Sequence, residues 1–261
     1  MDKTAVIIQS GAMGDIFVVA PIANYYKRLG YHVAWPVRGQ FFNLVDKYFP
    51  YVQAVNISSD FNFKEADKDW LKSDTINLIS YYQGNGFKAS ENESIILDIA
   101  DRGKYPLQAV DETFEEYKYR AAGVPFAFKN HLAWIRDKEK EIHVKNSISK
   151  FHKIDLDKDE YVVAHVESSH GDRAVVPDSE TRKIIYITPM PGYEIPDWYL
   201  VIKNAKAIYA VESSVQQFID GAIHRLKYQD EDKKFYILSR SSLSPGESYT
   251  VASNWDKKYM T

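Results

Sequence analysis

The sequence contains no cysteine. Disulfides and thiolate metal sites are therefore excluded, and a reducing compartment is expected. Its seven histidines show neither the H-x-x-H nor the H-E-x-x-H spacing of a zinc site. No apolar run approaches the ~20 residues of a membrane span. The opening Met1-Asp2-Lys3-Thr4 lacks the apolar core of a signal peptide. A soluble, cytoplasmic chain without integral membrane contact is the expectation. An excess of positive charge is also missing, since 33 Lys and Arg face 36 Asp and Glu for a net charge of −3. Residues 1–153 are close to neutral and 154–261 mildly acidic, so any nucleic-acid contact would be a local patch. There is no G-x-S-x-G and no G-x-x-x-x-G-K-[ST], which removes the usual hydrolase and P-loop readings. Gly84-Asn-Gly86 lacks the third glycine of a dinucleotide fingerprint, which disfavours an oxidoreductase. No D-x-D pair stands in a strand-end context. Asp155-Leu-Asp157 and Asp230-Glu-Asp232 lie in charged loops, and no metal is expected.

What is present is an ordinary globular composition, 45% hydrophobic and 26% charged over 261 residues, enough for two modest domains. Strand-like runs at 33–37, 52–57 and 75–80 alternate with a helical pattern at Phe41, Leu44, Val45 and Tyr48. Two helices are expected over 92–101 and 110–122, the second stopping at Gly123 with Pro125 beyond. Residues 136–160 are dense in charge of both signs, and a domain boundary is placed near 153. The pattern then restarts, with strands at 161–166, 183–188, 207–211 and 234–238 and a helix beginning near Asp197. Val215, Phe218, Ile219, Ala222, Ile223 and Leu226 form a helical stripe. Residues 239–253 are loop-like, and 255–260 form a short closing segment. Alternation of this kind predicts an α/β chain with parallel sheets in two domains, 1–153 and 154–261.

Chemistry-bearing residues cluster where strands end. Ala5 to Ile8 reads as a buried strand, broken at Gly11 and Gly14, before a helix marked by Ile22, Tyr25, Tyr26 and Leu29. Open α/β sheets hold ligands beyond the carboxyl ends of their strands. The residue offered there is a carboxylate, Asp15. A phosphate cradle would want bare N–H groups and positive charge instead. Asp15 suits a base that accepts a proton from a substrate hydroxyl, and the alternative is a simple helix cap. In the second half, Ala207 to Val211 runs into Glu212, Ser213 and Ser214 and then a helix. Free N–H groups and two hydroxyls at that helix start can bind a phosphate, or merely cap the helix. Gln83 and Asn85 follow the 75–80 strand and can hydrogen-bond a sugar or base edge, with Tyr81 and Tyr82 as stacking faces. Arg173, in a polar turn after the first strand of the second half, can pair with a diphosphate.

Taken in order, Gly11-Ala-Met-Gly14-Asp15 with Pro21, the Gln83-Gly-Asn85 turn, Arg173, and Glu212-Ser-Ser-Val-Gln-Gln217 resemble segments of the heptosyltransferase-like glycosyltransferases, the ADP-heptose:lipopolysaccharide heptosyltransferase type. The resemblance implies the GT-B architecture, two Rossmann-like domains facing across a cleft. It implies an inverting, metal-independent transfer from a nucleotide-sugar donor to an acceptor hydroxyl, with Asp15 as general base. Gly11, Met13, Gly14, Gln83 and Asn85 would lie on the acceptor side. Glu212 takes the family's acidic place in the donor loop, Ser213 the hydroxyl place, Ser214 the glycine place and Gln217 the histidine place. Three of those four differ from the commonest family residue, and Arg173 takes the phosphate partner's place. The chain is short for the family, so the second domain is expected to be trimmed between Arg173 and Lys183, with its end packing back on the first domain. The acceptor would be a saccharide. A hydroxymethylated DNA base is a further option, served by a cationic rim of Arg38, Lys72, Lys88, Arg102 and Lys104. A nucleotide-binding module without catalysis is the competing reading.

Overall fold

The computed structural model describes residues 3–9, 13–57, 94–99, 112–168, 171, 173–227, 232–238 and 255–258. The expected strand at 75–80, together with Gly11, Tyr81, Tyr82, Gln83, Asn85, Lys72, Lys88, Arg102, Lys104 and the loop-like 239–253, lies outside the described residues. The chain divides into two compact units, Met1–Ile135 and Arg136–Thr261. The division falls at the start of the charged segment and not near 153, so the charged helix inside that segment is part of the second unit.

In the first unit, strands β1 (Thr4–Ile8), β2 (His32–Arg38), β3 (Gln53–Ile57) and β4 (Ser94–Asp98) form a parallel sheet in the order β3-β2-β1-β4. β1 is buried throughout, as a strand between two paired neighbours must be. β2 pairs with β1 over His32, Val33 and Ala34 and with β3 from Ala34 to Arg38. Pro36, which has no N–H to donate, falls past the last pair with β1. β4 replaces the helix expected over 92–101. It pairs with β1 from Thr4 against Ser94 to Ile8 against Asp98. Its apolar run, Ile95-Ile96-Leu97, is too short for a helical face and is rich in β-branched residues.

Helix α1 (Met13–Arg28) starts earlier than the glycine pattern suggests, with Gly14 and Asp15 in its first turn. Among the described residues the unit's other α-helices are α2 (Gly39–Tyr48) and α3 (Phe114–Ala121). Pro21 lies inside α1 and removes one helical hydrogen bond. In the turn before it, Tyr119 Oη donates to Val18 O at 2.9 Å and Tyr51 Oη to Ala20 O at 3.2 Å. In return Tyr26 Oη, on α1, donates to Ala122 O at 2.7 Å, at the end of α3. These reciprocal tyrosine bonds clamp α1 to α3. α3 begins with a capping box, Glu116 N–H to Thr113 Oγ1 at 3.3 Å and Thr113 N–H to Glu116 Oε2 at 2.9 Å. It ends at Gly123, whose φ of +65° suits glycine.

In the second unit, β5 (Tyr161–His165), β6 (Lys183–Tyr186), β7 (Ala207–Val211), β8 (Lys234–Leu238) and β9 (Asp256–Lys258) form a parallel sheet in the order β6-β5-β7-β8-β9. Helix α4 (Lys138–His152) carries the charged segment. α5 (Tyr199–Asn204) follows a single 3₁₀ turn, and the expected long stripe is two helices, α6 (Ser214–Gly221) and α7 (Ile223–Lys227). β5 is tied to α5 by Tyr161 Oη, which donates to Val201 O at 2.7 Å. Among the described residues no helix joins β5 to β6. Ala174 and Val176 instead lie against Val162, Ala164, Ala207, Tyr209 and Leu238. The closing segment belongs to the second unit as β9. Trp255 packs on Phe235 and donates to Asp220 Oδ1 at 3.1 Å.

Candidate active site

β1 and β4 end side by side, and each is followed by one described residue, Gln9 and Ile99. Ile99 N–H donates to Ile8 O at 3.2 Å. Asp15 stands in the first turn of α1, just beyond β1. From α3, Lys118 reaches the same point. Its Nζ donates to Gln9 Oε1 at 2.5 Å and to Ile99 O at 3.2 Å, and lies 3.4 Å from Asp15 Oδ1. The ring of Phe114 covers the ammonium at 5.2 Å. The Lys118 side chain is 6% exposed and that of Asp15 19%. An ammonium this deep needs several oxygen partners, because desolvation of a charge costs several kcal/mol. The two strand ends and Asp15 supply them. Asp15 is thus an ion-pair partner at the edge of solvent as well as a first-turn carboxylate favoured by the helix dipole. Met13 and Gly14 share its helical turn.

Sequence reasoning missed Lys118 and Gln9. A faint signal existed, since Lys118 lies between Tyr117 and Tyr119, both buried on a helix whose other polar residues include Glu115. Glu115 is itself paired with Lys129 in a closed, buried ion pair. Of the proposed cationic rim, only Arg38 falls within the described residues, exposed at the end of β2.

In the second unit the helix start after β7 is built as the residues suggest. Glu212 is buried, and Ser213, with an extended φ of −163°, is the N-cap of α6. Ser213 Oγ accepts from Gln216 N–H at 3.4 Å. Ser214 is the first helical residue, and its N–H is among those a helix start leaves without an intrahelical acceptor. Gln217 is buried in the first turn. A residue not anticipated is His165, at the end of β5, whose Nδ1 is 3.0 Å from Ser213 Oγ. Burial pushes its pKa down to about 4 against a smaller opposing pull from Glu167, so the ring is neutral near pH 7. A second is Gln216. It is fully buried, and among the described residues neither its amide oxygen nor its nitrogen has a hydrogen-bond partner.

Arg173 follows β5 in the loop that leads to β6. Its side chain is 77% exposed, it bridges backbone to backbone with Glu167, and its guanidinium lies 3.5 Å from the Glu167 carboxylate. The pair is solvated and so contributes little to stability. Glu212, Ser213, Ser214 and Gln217 follow one another at the end of β7 and in the first turn of α6, and Arg173 faces water beside an acid.

No family model matches the sequence, and no curated protein matches it. Solved structures do. The glycosyl transferase family 9 protein of Veillonella parvula DSM 2008 superposes with a TM-score of 0.57 at 9% identity, over 99% of this chain and 85% of that one. The E. coli heptosyltransferase WaaC with ADP gives 0.53 at 11%, over 99% and 93%. E. coli ADP-heptose lps heptosyltransferase II gives 0.52 at 11%, over 98% and 90%. The chain has the fold of these glycosyltransferases. At such identities the likeness is one of fold, and the chemistry has to be argued from the side chains.

Proposed function

We propose that this chain is a glycosyltransferase that moves a sugar from a nucleotide-sugar donor to a saccharide hydroxyl. The observation that carries the proposal is Asp15, a partly exposed carboxylate fixed at the carboxyl end of a parallel sheet, on a fold shared with glycosyltransferases. Two of those neighbours are described with ADP or ADP-heptose, so ADP-sugars are the first donors to try. The donor diphosphate would sit at the start of α6, against backbone N–H groups and Ser214, with Ser213 and Glu212 shaping the turn. Arg173 would reach the leaving group only after exchanging its Glu167 partner. The acceptor oxygen attacks the anomeric carbon as its proton passes to Asp15. The bond from that carbon to the diphosphate breaks, and the nucleoside diphosphate leaves with the electron pair. The attack inverts the anomeric centre and needs no metal. Two Rossmann-like domains facing across a cleft would bring donor and acceptor together and exclude water, which otherwise competes as acceptor.

The test is release of nucleoside diphosphate from ADP-, UDP- and GDP-sugars with saccharide acceptors, in wild type and Asp15→Asn, alongside calorimetry with the free nucleotides. Asp15→Asn is expected to lose about 10²–10⁴ in turnover, with nucleotide affinity within a few-fold. Near-normal turnover in a folded Asp15→Asn protein would sink the base assignment. Nucleotide binding without turnover of any donor would favour a binding module, the reading that the altered Ser214 and Gln217 positions support.

A further inference from the structure

We propose that Lys118 is a positioning residue of this transfer, anchoring the Asp15 carboxylate at the carboxyl ends of β1 and β4. The inference rests on Asp15 as the base. The three lysines buried among the described residues show what distinguishes it. Lys233 Nζ donates to Ile202 O at 3.2 Å, Lys203 O at 2.5 Å and Ala205 O at 2.6 Å, which caps the carbonyl end of α5. Lys129 pairs with Glu115, and both side chains are almost wholly buried, at 4% and 0% exposed. Both arrangements are sealed inside the protein, as structural charges are. Lys118 is equally deep, yet its acid partner keeps 19% of its side-chain surface in solvent. The pair therefore opens outward at the edge of the sheet where ligands of such folds bind.

The remaining contacts fix the ammonium itself. Gln9 Oε1 and Ile99 O come from the two strand ends, Phe114 covers one side, and the tyrosine bonds between α1 and α3 hold the helices that carry the pair. A short side chain such as Asp15 has few rotamers, and an immobile cation 3.4 Å from Oδ1 selects among them before any substrate arrives. Such pre-orientation is worth much in rate, because a misplacement of about 1 Å can cost ~10²-fold.

The experiment compares Lys118→Met, Lys118→Gln, Asp15→Asn and the Lys118→Met/Asp15→Asn double variant, with any donor from the panel that wild type turns over. Folding is checked by circular dichroism and melting temperature. Lys118→Met and Lys118→Gln are expected to lower kcat about ten- to a hundredfold while the donor KM stays within about threefold. In the Asp15→Asn background, Lys118→Met is expected to change kcat by less than about twofold, since a residue acting through Asp15 has nothing left to orient. Wild-type kcat in either folded Lys118 variant overturns the proposal. So does a double variant in which the losses multiply, and so do Lys118 variants that only unfold, which would make the lysine structural. An active Asp15→Asn protein, or a wild type with no turnover, identifies failure of the underlying function instead.

Discussion

At the carboxyl end of β5 the His165 ring shares a hydrogen bond with the Ser213 hydroxyl, and burial holds its pKa near 4. An unfolded chain takes up this proton near pH 6.5. Above that pH the ring is neutral in both states and contributes no pH dependence. Between 6.5 and about 4 the unfolded chain binds a proton that the folded chain refuses, so stability falls as the pH drops. Below about 4 both states are protonated and the loss levels off, after roughly 3 kcal/mol at most. Urea unfolding at pH 7 and pH 4 should show wild type losing more stability than His165→Leu over that interval. Equal losses would mean that the ring charges freely in the folded protein. In the folded protein the ring stays neutral over that interval, so nucleotide affinity is not expected to change through His165 until the pH nears 4.

The capping box that starts α3 has a role beyond its own helix, because the helix carries both Lys118 and the Tyr119 clamp. Thr113→Ala removes the Oγ1 acceptor of Glu116 N–H and should cost about 1 kcal/mol. Thermal denaturation would read this, and an unchanged melting temperature would show that water replaces the cap without loss. Elements of this kind were legible in the sequence wherever a local rule writes them. β1 announced itself by its β-branched run, α6 by strand, hydroxyl cap and apolar stripe, and α3 by the Gly123 stop. β4 reads as a helix in the sequence because Ile95-Ile96-Leu97 has no period long enough to separate the two forms, and its pairing with β1 is a tertiary fact. Asp15, Glu212, Ser213 and Ser214 could be found from strand ends. Lys118 and His165 could not, since a lysine on a helix and a histidine in a strand reveal nothing of a partner some hundred or fifty residues away. The resemblance shows the β5–β6 connection only as shortened, and among the described residues it holds no helix. The anchoring of its Ala174 and Val176 in the sheet depends on side chains from three other strands.

Across the whole molecule the chain is two compact units, each with its own parallel sheet and its own buried cations. Lys118 and Lys129 belong to the first, Lys233 to the second. An amine enclosed by carbonyls or a carboxylate is inert to acylating reagents until the structure around it opens, so these lysines are built-in clocks of unfolding. Brief exposure to an acetylating reagent, read by mass spectrometry, should modify surface amines such as Lys158 at once and the three buried ones slowly. Lys118 and Lys129 are expected to share one rate and Lys233 to have its own. A common rate for all three would mean that the chain opens as a single cooperative body. Two rates would give each unit a separate lifetime. The less durable unit would then set how long the protein survives heat or proteolysis, whatever the stability of the other.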